Sequence, residues 1–465
     1  MLKKWKAGLF FIIGSGFYFL LLLLPNQQKL CPFRGSADAR KFPTPSFSNR
    51  FGTSVAMPVF SRKYGTSCQT CHTAFPNLTP FGEAFKRNGL RFPGEGDSFE
   101  SPDSQTLGKE EDKKEFPKAV WTGAIPKSVP FSLAVNSQFT SHPKDNSTNQ
   151  KAQFQDFGGN ATFLTAGTLG NHFAFWGEFD VSVNTDVTTG DRTAEIMPTR
   201  LYAIANPFKG PEFQIKIGSF EPAFLFVSEH RNLLGGFYIL NDRIIGDNNF
   251  TLEDSQQGLQ LYGTLAKGHL GYAVAVVEGT SNHYNNDKDV IGRVEYKIGG
   301  LRLDGVQNEK SATVKHPWRD DTVTLGAFGY LGFASLNDPT AASTALQSDR
   351  FEMFGGDIHA NYFNFNSELA YVRRQNSQPV YGTTGQSVGT NEFLGELNYV
   401  YYWFLPGIRY ELSDNNIERD QKITLGSTFL VRPNIKTYVR GALEKLGGGK
   451  FTDNPEILAG ITLAL

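Results

Sequence analysis

The sequence of 465 residues has few cysteines, no excess of charge and only one long apolar run. Its three cysteines are Cys31, Cys68 and Cys71, so a zinc site lacks a second cysteine pair, and no later histidines have zinc-finger spacing. The formal net charge of −1 gives no indication of a nucleic-acid partner. No hydrolase constellation and no phosphate-binding glycine loop is present. After Leu24 no apolar run is long enough for a transmembrane helix.

The N-terminus has the features of an export signal. Three lysines precede the apolar run Ala7–Leu24, the order of a basic region followed by a hydrophobic region. The run is long enough to be a retained membrane anchor instead. Cleavage motifs of small residues end at Ala39 and at Ala56, and we expect residues 1–39 to form the signal or apolar segment. Cleavage after Ala39 would remove Cys31 and leave no cysteine outside the motif described next.

The motif Cys68-Gln69-Thr70-Cys71-His72 is the attachment signature of a c-type haem. Two thiols at this spacing bond to the two vinyl groups of one porphyrin, and the next imidazole ligates the iron from the proximal side. A thioredoxin-like dithiol is the alternative, but its βαβ setting is not visible here. The motif therefore predicts one covalent haem c, held by Cys68, Cys71 and His72.

Residues 40–94 are expected to form the haem segment. Thr79 and Pro80 predict the start of a helix and Gly89 its end. Phe75, Phe81 and Phe85 are candidates for packing against the porphyrin, although they would equally form a small core of their own. The segment is too short to enclose a haem, so other parts of the chain must supply walls.

Residues 95–118 are polar and aperiodic, which predicts a linker. In residues 119–465 apolar and polar side chains alternate in short runs, which predicts β-strands. In 172–180, for example, Phe173, Phe175 and Phe179 share one face, and His172, Glu178 and Asp180 share the other. Repeated charge on the second face predicts an all-β outer-membrane antiparallel β-barrel, with lipid outside and water inside. A soluble sandwich with its apolar face packed inward is the alternative.

The runs number about sixteen, and short connections alternate with long ones, as in bacterial barrels. The connection 299–321 falls where this alternation requires a tight turn and is too long for one, so the assignment of one hairpin is in doubt. The third long connection, 221–256, corresponds in position to the loop that folds into the lumen of sixteen-stranded porins.

From Met57 to Pro93 the sequence resembles the N-terminal signature of fused monohaem cytochrome–porins, most clearly in Met57–Lys86, which spans the haem motif. The remainder matches that family in architecture and length rather than in motif. The resemblance implies one haem joined to an outer-membrane barrel, with thioethers at Cys68 and Cys71 and His72 as the proximal ligand. The best-known members of that family oxidise ferrous iron outside the cell.

The sixth iron ligand is left open by the sequence. Met57 is the local candidate, because the haem segment has no histidine besides His72. His172 and His359 fall on the predicted lumen face, and His230 lies in the third long connection. An open or water-ligated position is a further alternative.

These features predict an outer-membrane protein that passes electrons from an extracellular donor, with Fe(II) favoured, to a periplasmic carrier such as a soluble cytochrome. Loop carboxylates are candidates for iron docking, although a solvated acidic loop is the more common explanation of such residues: Asp287, Asp289, Asp414, Glu418 and Asp420. The alternatives are a diffusion porin with a tethered periplasmic haem shuttle, and a soluble exported haem β protein.

Overall fold

The structure, a computed structural model, describes the chain from Pro58 onward with gaps. The described residues are 58–93, 104–106, 114, 124–126, 129–143, 152–155, 160–170, 172–185, 192–208, 210–228, 231–236, 238–252, 255–279, 287–306, 316–336, 346–383, 385–415, 419–447, 449–451 and 454–465. The predicted signal segment 1–39, Met57, His230, Glu418 and most of the linker 95–118 lie outside them. Within these ranges no helix has the length and apolarity needed to cross a bilayer.

The N-terminal segment, residues 58–93, is partly helical. It contains helices α1 (Pro58–Tyr64) and α2 (Cys68–Cys71), strands β1 (His72–Ala74) and β2 (Asn77–Leu78), and helix α3 (Pro80–Arg87). Thr79 caps α3, because its Oγ1 accepts a hydrogen bond of 3.1 Å from the backbone N–H of Gly82. Pro80 occupies the first turn, and Gly89 adopts a φ of +66° just after the helix. The helix predicted from these residues is confirmed.

The rest of the described chain is almost entirely strand. The strands are β3 (Ser104–Thr106), β4 (Ala124–Pro126), β5 (Phe131–Ser141), β6 (Ala152–Gln155), β7 (Asn160–Leu169), β8 (Phe173–Thr185), β9 (Arg192–Ala205), β10 (Gln214–Phe220), β11 (Gln256–Leu265), β12 (Leu270–Val277), β13 (Asp289–Gly299), β14 (Thr322–Leu336), β15 (Gln347–Tyr362), β16 (Phe365–Asn376), β17 (Val388–Tyr399), β18 (Phe404–Asn415), β19 (Arg419–Arg432), β20 (Ile435–Lys445) and β21 (Asn454–Ala464). A short helix α4 (Ile239–Asp242) interrupts the connection between β10 and β11.

Strands β5 to β21 form one closed antiparallel barrel in which each strand pairs with its neighbours in sequence, and β21 pairs with β5 to close the ring. Both β6 and β7 pair with β5, the first with 138–141 and the second with 131–135, so they are two pieces of one strand. The described strands therefore occupy sixteen positions. The all-β class and the expected count of about sixteen are confirmed. Separately, β3 and β4 pair with each other, so part of the predicted linker is a strand.

The two faces of the barrel differ in polarity as the alternation predicts. On β8, Ala174 and Glu178 are buried inside, whereas Phe173 on the other face is 55% exposed. Large apolar side chains with about half of their surface exposed recur around the outside: Phe163, Leu201, Ile217, Val274, Val294, Phe354 and Leu425. A sandwich packs its apolar face inward, so the soluble-sandwich alternative is wrong. The exterior is of the kind that faces lipid.

The N-terminal segment lies inside the barrel, because it reaches inward side chains on strands spread around the ring. Lys63 Nζ donates to Thr168 Oγ1 on β7 at 2.6 Å, and Lys436 Nζ on β20 donates to the Phe75 carbonyl at 2.7 Å. On β13, Glu295 forms an ion pair with Arg87. A segment that touches β7, β13 and β20 at once lies across the lumen.

The connection between β10 and β11 also folds into the lumen, as expected for the third long connection. The backbone N–H of Ile239 donates to Glu411 Oε1 on β18 at 2.7 Å. Arg231 forms an ion pair of 2.6 Å with Glu83 of α3. We call the described residues of this connection, 221–228, 231–236, 238–252 and 255, the inner loop. The inner loop and the N-terminal segment are thus in direct contact.

The connection between β13 and β14 is long because it packs on the N-terminal segment. Asn88 Nδ2 donates to the Asp304 carbonyl at 3.0 Å, and Gly305 lies against Pro93. The doubt over this hairpin is removed, because β13 and β14 pair directly over ten residues.

Candidate cofactor site

Cys68, Cys71 and His72 line a single cavity, which we call the cysteine cavity. Its empty volume is about 930 Å³, including the part open to solvent. The two thiols and the imidazole of the motif therefore face one common space in the described part of the chain.

Local structure explains how the motif is presented. The backbone N–H of Gln69 donates to Ser67 Oγ, which starts helix α2, and both cysteines lie within its single turn. The backbone N–H of Thr79 donates to the Cys71 carbonyl at 2.9 Å and brings α3 against the motif. A Cβ at Gly82 would lie 2.0 Å from that carbonyl oxygen, so only glycine permits the approach.

The imidazole of His72 is held in the state that an iron ligand requires. Its Nδ1 lies 3.3 Å from the Pro76 carbonyl oxygen, the hydrogen bond that leaves Nε2 available for a metal. Burial lowers the pKa of His72 to about 4, so the ring is neutral at neutral pH. Burial, and secondarily Cys68, raise the pKa of Cys71 to about 12, and neither thiol is in a disulfide.

Aromatic rings from two parts of the chain form the walls. From the N-terminal segment come Phe60, Phe85 and Phe92; the ring centroids of Phe60 and Phe85 are 4.9 Å apart. From the barrel come Trp176 and Tyr202, which are parallel at a centroid distance of 6.3 Å. Two thiols, a neutral imidazole and a wall of aromatic rings are the groups that a c-type haem needs, so the residues of this cavity fit that cofactor.

The three predicted packing phenylalanines have different positions. Phe85 lines the cysteine cavity. Phe81 packs edge-on to Phe92 with centroids 5.1 Å apart, and Phe75 is buried beside Lys436; neither is part of the lining.

The barrel residues of the wall were not identified as site residues from the sequence. Trp176 lies on the β8 face that alternation assigned to the lumen, so a weak signal for it existed. No sequence signal paired it with Tyr202 on β9.

The candidate sixth ligands are not among the described residues that line the cysteine cavity. His172 is exposed beside the turn before β8, where its Nδ1 lies 2.9 Å from the Asn206 carbonyl oxygen. His359 lines a neighbouring cavity of about 560 Å³ and stacks on Phe226 with ring centroids 3.9 Å apart. Met57 and His230 lie outside the described residues. In the described lining, His72 is the only imidazole, and no thioether is present.

A third cavity, which we call the charged cavity, adjoins the cysteine cavity. Its empty volume is about 860 Å³, and Lys86, Leu90 and Tyr202 line both cavities. Burial alone would raise the pKa of Glu83 at its edge, but the charge and hydrogen bonds of Arg231 outweigh burial and lower this pKa to about 2. Burial, and secondarily Arg231, lower the pKa of Lys86 to about 8.

Two of the carboxylates predicted to dock iron are not on the surface. Asp289 is buried, where it accepts hydrogen bonds from the Tyr330 hydroxyl and from the backbone N–H of Phe333. Asp420 is buried beside Arg243, with which it forms an ion pair of 2.5 Å. Both were placed in loops, but they lie at the inward-facing ends of strands.

Asp287 is exposed, and Asp414 is half-buried beside Arg419, at 3.7 Å. Glu418 lies outside the described residues. The described residues contain no cluster of three histidine, cysteine or acidic side chains arranged to bind a metal ion.

A closed antiparallel ring of sixteen strand positions with a polar interior and an apolar exterior is the architecture of outer-membrane porin-type barrels. The chain is similar in structure to OmpT of Vibrio cholerae at 11% identity, over 72% of this chain and 98% of that one, with a TM-score of 0.46. It is similar to OmpF of Salmonella typhi at 12% identity, over 72% and 97%, with a TM-score of 0.49. The outer-membrane channel DcaP of Acinetobacter baumannii gives 9% identity over 73% and 97%, with a TM-score of 0.47. No family model and no curated protein sequence matches the chain.

Proposed function

We propose that this chain is an electron-transfer protein of the bacterial outer membrane that holds one haem c through Cys68, Cys71 and His72. The observation that carries the proposal is that both thiols and the imidazole line one aromatic-walled cavity inside a closed barrel. The apolar exterior supports the location in lipid. A c-type haem bound there supplies one iron centre that accepts and releases one electron reversibly.

The protein's own residues position the cofactor and restrict water. Cys68 and Cys71 fix it covalently, and the Pro76 carbonyl orients the ring of His72. Phe60 and Phe85 from the N-terminal segment, with Trp176 from the barrel, give the site an apolar wall that lowers the local dielectric.

The donor proposed is extracellular Fe(II), and the acceptor is a periplasmic carrier such as a soluble cytochrome. The hydrocarbon layer is about 30 Å thick, so a centre that serves both sides has to lie within the barrel rather than at one rim. The contacts of the N-terminal segment with β7, β13 and β20 support such a place.

The test is the absorption spectrum of the purified protein in detergent as Fe(II) is added at a pH where iron stays soluble. We expect rapid appearance of the reduced c-type α band, and we expect the variant His72→Ala to lose this response. A pyridine haemochrome spectrum that shows no thioether-linked haem would refute the proposed cofactor. A haem reduced by dithionite but not by Fe(II) would refute iron as the donor and leave the haem assignment intact.

A diffusion porin with a tethered haem is the second candidate function. The polar barrel interior favours it, because diffusion channels have such a lumen. Single-channel conductance in planar bilayers separates the two functions. We expect little conductance, since the N-terminal segment and the inner loop meet inside the barrel through Glu83 and Arg231. Conductance at the level of open sixteen-stranded porins would favour the diffusion channel.

A further inference from the structure

The charged cavity carries more positive than negative side chains. Its lining includes five cations, Lys86, Arg87, Lys216, Arg231 and Arg293, and three carboxylates, Glu83, Glu221 and Glu295. All three carboxylates already have cationic partners: Glu83 pairs with Arg231, Glu295 with Arg87 and Arg293, and Glu221 with Arg200 of the adjoining wall. Arg293 has a further partner outside the lining, Asp357 at 2.6 Å, so each arginine of the lining has a carboxylate partner.

The two lysines of the lining differ from its arginines in this respect. In the part of the chain that the structure describes, neither Lys86 nor Lys216 forms an ion pair with a carboxylate. The Lys216 ammonium is surrounded by three aromatic rings, with their centroids 5.0 Å (Tyr202), 5.3 Å (Phe220) and 5.2 Å (Tyr262) away. Aromatic faces hold a cation in place but do not neutralise it. An anion at this place would stabilise the charged form of such half-buried ammonium groups.

The two adjoining cavities together match the amphipathic form of a haem, which has an apolar macrocycle and two carboxylates on one edge. Lys86 and Tyr202 form part of the wall shared by the apolar cysteine cavity and the charged cavity. We infer that Lys86 and Lys216 bind the two propionate groups of the haem, an inference that rests on the haem assignment proposed above. Two ammonium groups match two ionised propionates in number and are opposite to them in charge.

Other charged groups face these lysines and enter any pH profile. Glu221, Arg200 and Arg231 act electrostatically on both ammonium groups. Glu83 acts on that of Lys86. Arg200 is not counted as a propionate ligand, because it forms a 2.6 Å ion pair with Glu178.

The experiment compares haem-loaded wild type with Lys86→Met, Lys216→Met, the double variant and the corresponding arginine variants. Lys422→Met is the matched control: Lys422 is paired in register with the buried Glu411 on the inner face, and it lines none of the three cavities. Pyridine haemochrome first establishes that the haem is attached, and gel mobility before and after heating establishes that the barrel is folded. The reduction potential is then measured as a function of pH.

An opposite charge within a few ångströms lowers a carboxyl pKa by about 1–3 units. We therefore expect each methionine variant to raise the pKa of one propionate by at least about one unit and to shift the reduction potential to lower values. The arginine variants should keep the wild-type profile, and the control should match wild type.

A double variant that carries haem and retains the wild-type pH profile would overturn the inference while leaving the haem assignment in place. Absence of attached haem in wild type would instead refute the proposed function. If the methionine variants fail to fold, the infrared carboxylate band of isotope-labelled propionates in wild type decides. Free carboxyl groups are protonated near pH 4. Propionates that become protonated only well below this pH support the lysine contacts, and propionates that become protonated at or above it overturn them.

Discussion

The ion pair between Glu83 of α3 and Arg231 of the inner loop links the two elements that fill the lumen, so its removal should loosen them. The substitution Glu83→Gln keeps the shape of the side chain and removes its charge. The pKa of Glu83 is lowered from 4.5 to about 2, a difference that corresponds to about 3 kcal/mol at about 1.4 kcal/mol per unit. Only 12% of the Glu83 side chain is exposed, so screening by solvent is limited.

Loss of about 3 kcal/mol raises the opening equilibrium of α3 about 100-fold. The assay is amide hydrogen exchange of residues 80–90 by mass spectrometry, in a double-mutant cycle with Arg231→Met. Glu278→Gln is the control, because the Glu278–Lys288 pair of 3.0 Å is 37% and 41% exposed and should contribute less than about 1 kcal/mol. Exchange within twofold of wild type in Glu83→Gln, with no coupling in the cycle, would refute the assignment of this pair as the link.

Three further predictions concern the site and the barrel. The stabilising contribution of Glu83 is fully present above pH 4.5 and is lost as the pH falls towards 2, because the carboxylate becomes protonated. Protease cleavage of the N-terminal segment should therefore rise over this pH range in wild type but not in Glu83→Gln. The substitution Gly82→Ala should weaken docking of the N-terminal segment by about 1–3 kcal/mol, because the new Cβ would lie 2.0 Å from the Cys71 carbonyl oxygen. The haem stain per folded barrel should fall accordingly. The control Gly292→Ala should have little effect, because no atom lies within 4 Å of its new Cβ. Leu425→Arg on the exposed face should cost about 2–4 kcal/mol in refolding into vesicles, and equal stability to wild type would contradict a lipid-facing position.

The sequence was sufficient for the barrel because alternation is a local property. The inward position of Glu178 and the outward position of Phe173 on β8 follow from a period of two. The helix after Thr79 also follows from local capping residues. The loop positions of Asp289 and Asp420 were wrong, because the ends of strands cannot be fixed from alternation where polar residues continue past the turn.

The cavity wall could not be predicted in the same way. Trp176 and Tyr202 lie on adjacent strands, and Lys86 joins them from a helix, ninety residues away in sequence from Trp176. Their meeting depends on how the N-terminal segment seats inside the closed ring, which involves long-range contacts such as that between Lys436 and Phe75. Single-sequence patterns contain no information on such contacts.

The contacts of the N-terminal segment with opposite parts of the ring also have a mechanical consequence. A barrel wall is one sheet thick and bends easily, so a hollow ring can flatten into an ellipse. Here Thr168 on β7, Glu295 on β13 and Lys436 on β20 are each joined to the central segment by a hydrogen bond or an ion pair. Flattening the ring would have to stretch or break one of these joints, so the segment fixes the cross-section of the barrel and keeps the rings around the cysteine cavity at constant spacing.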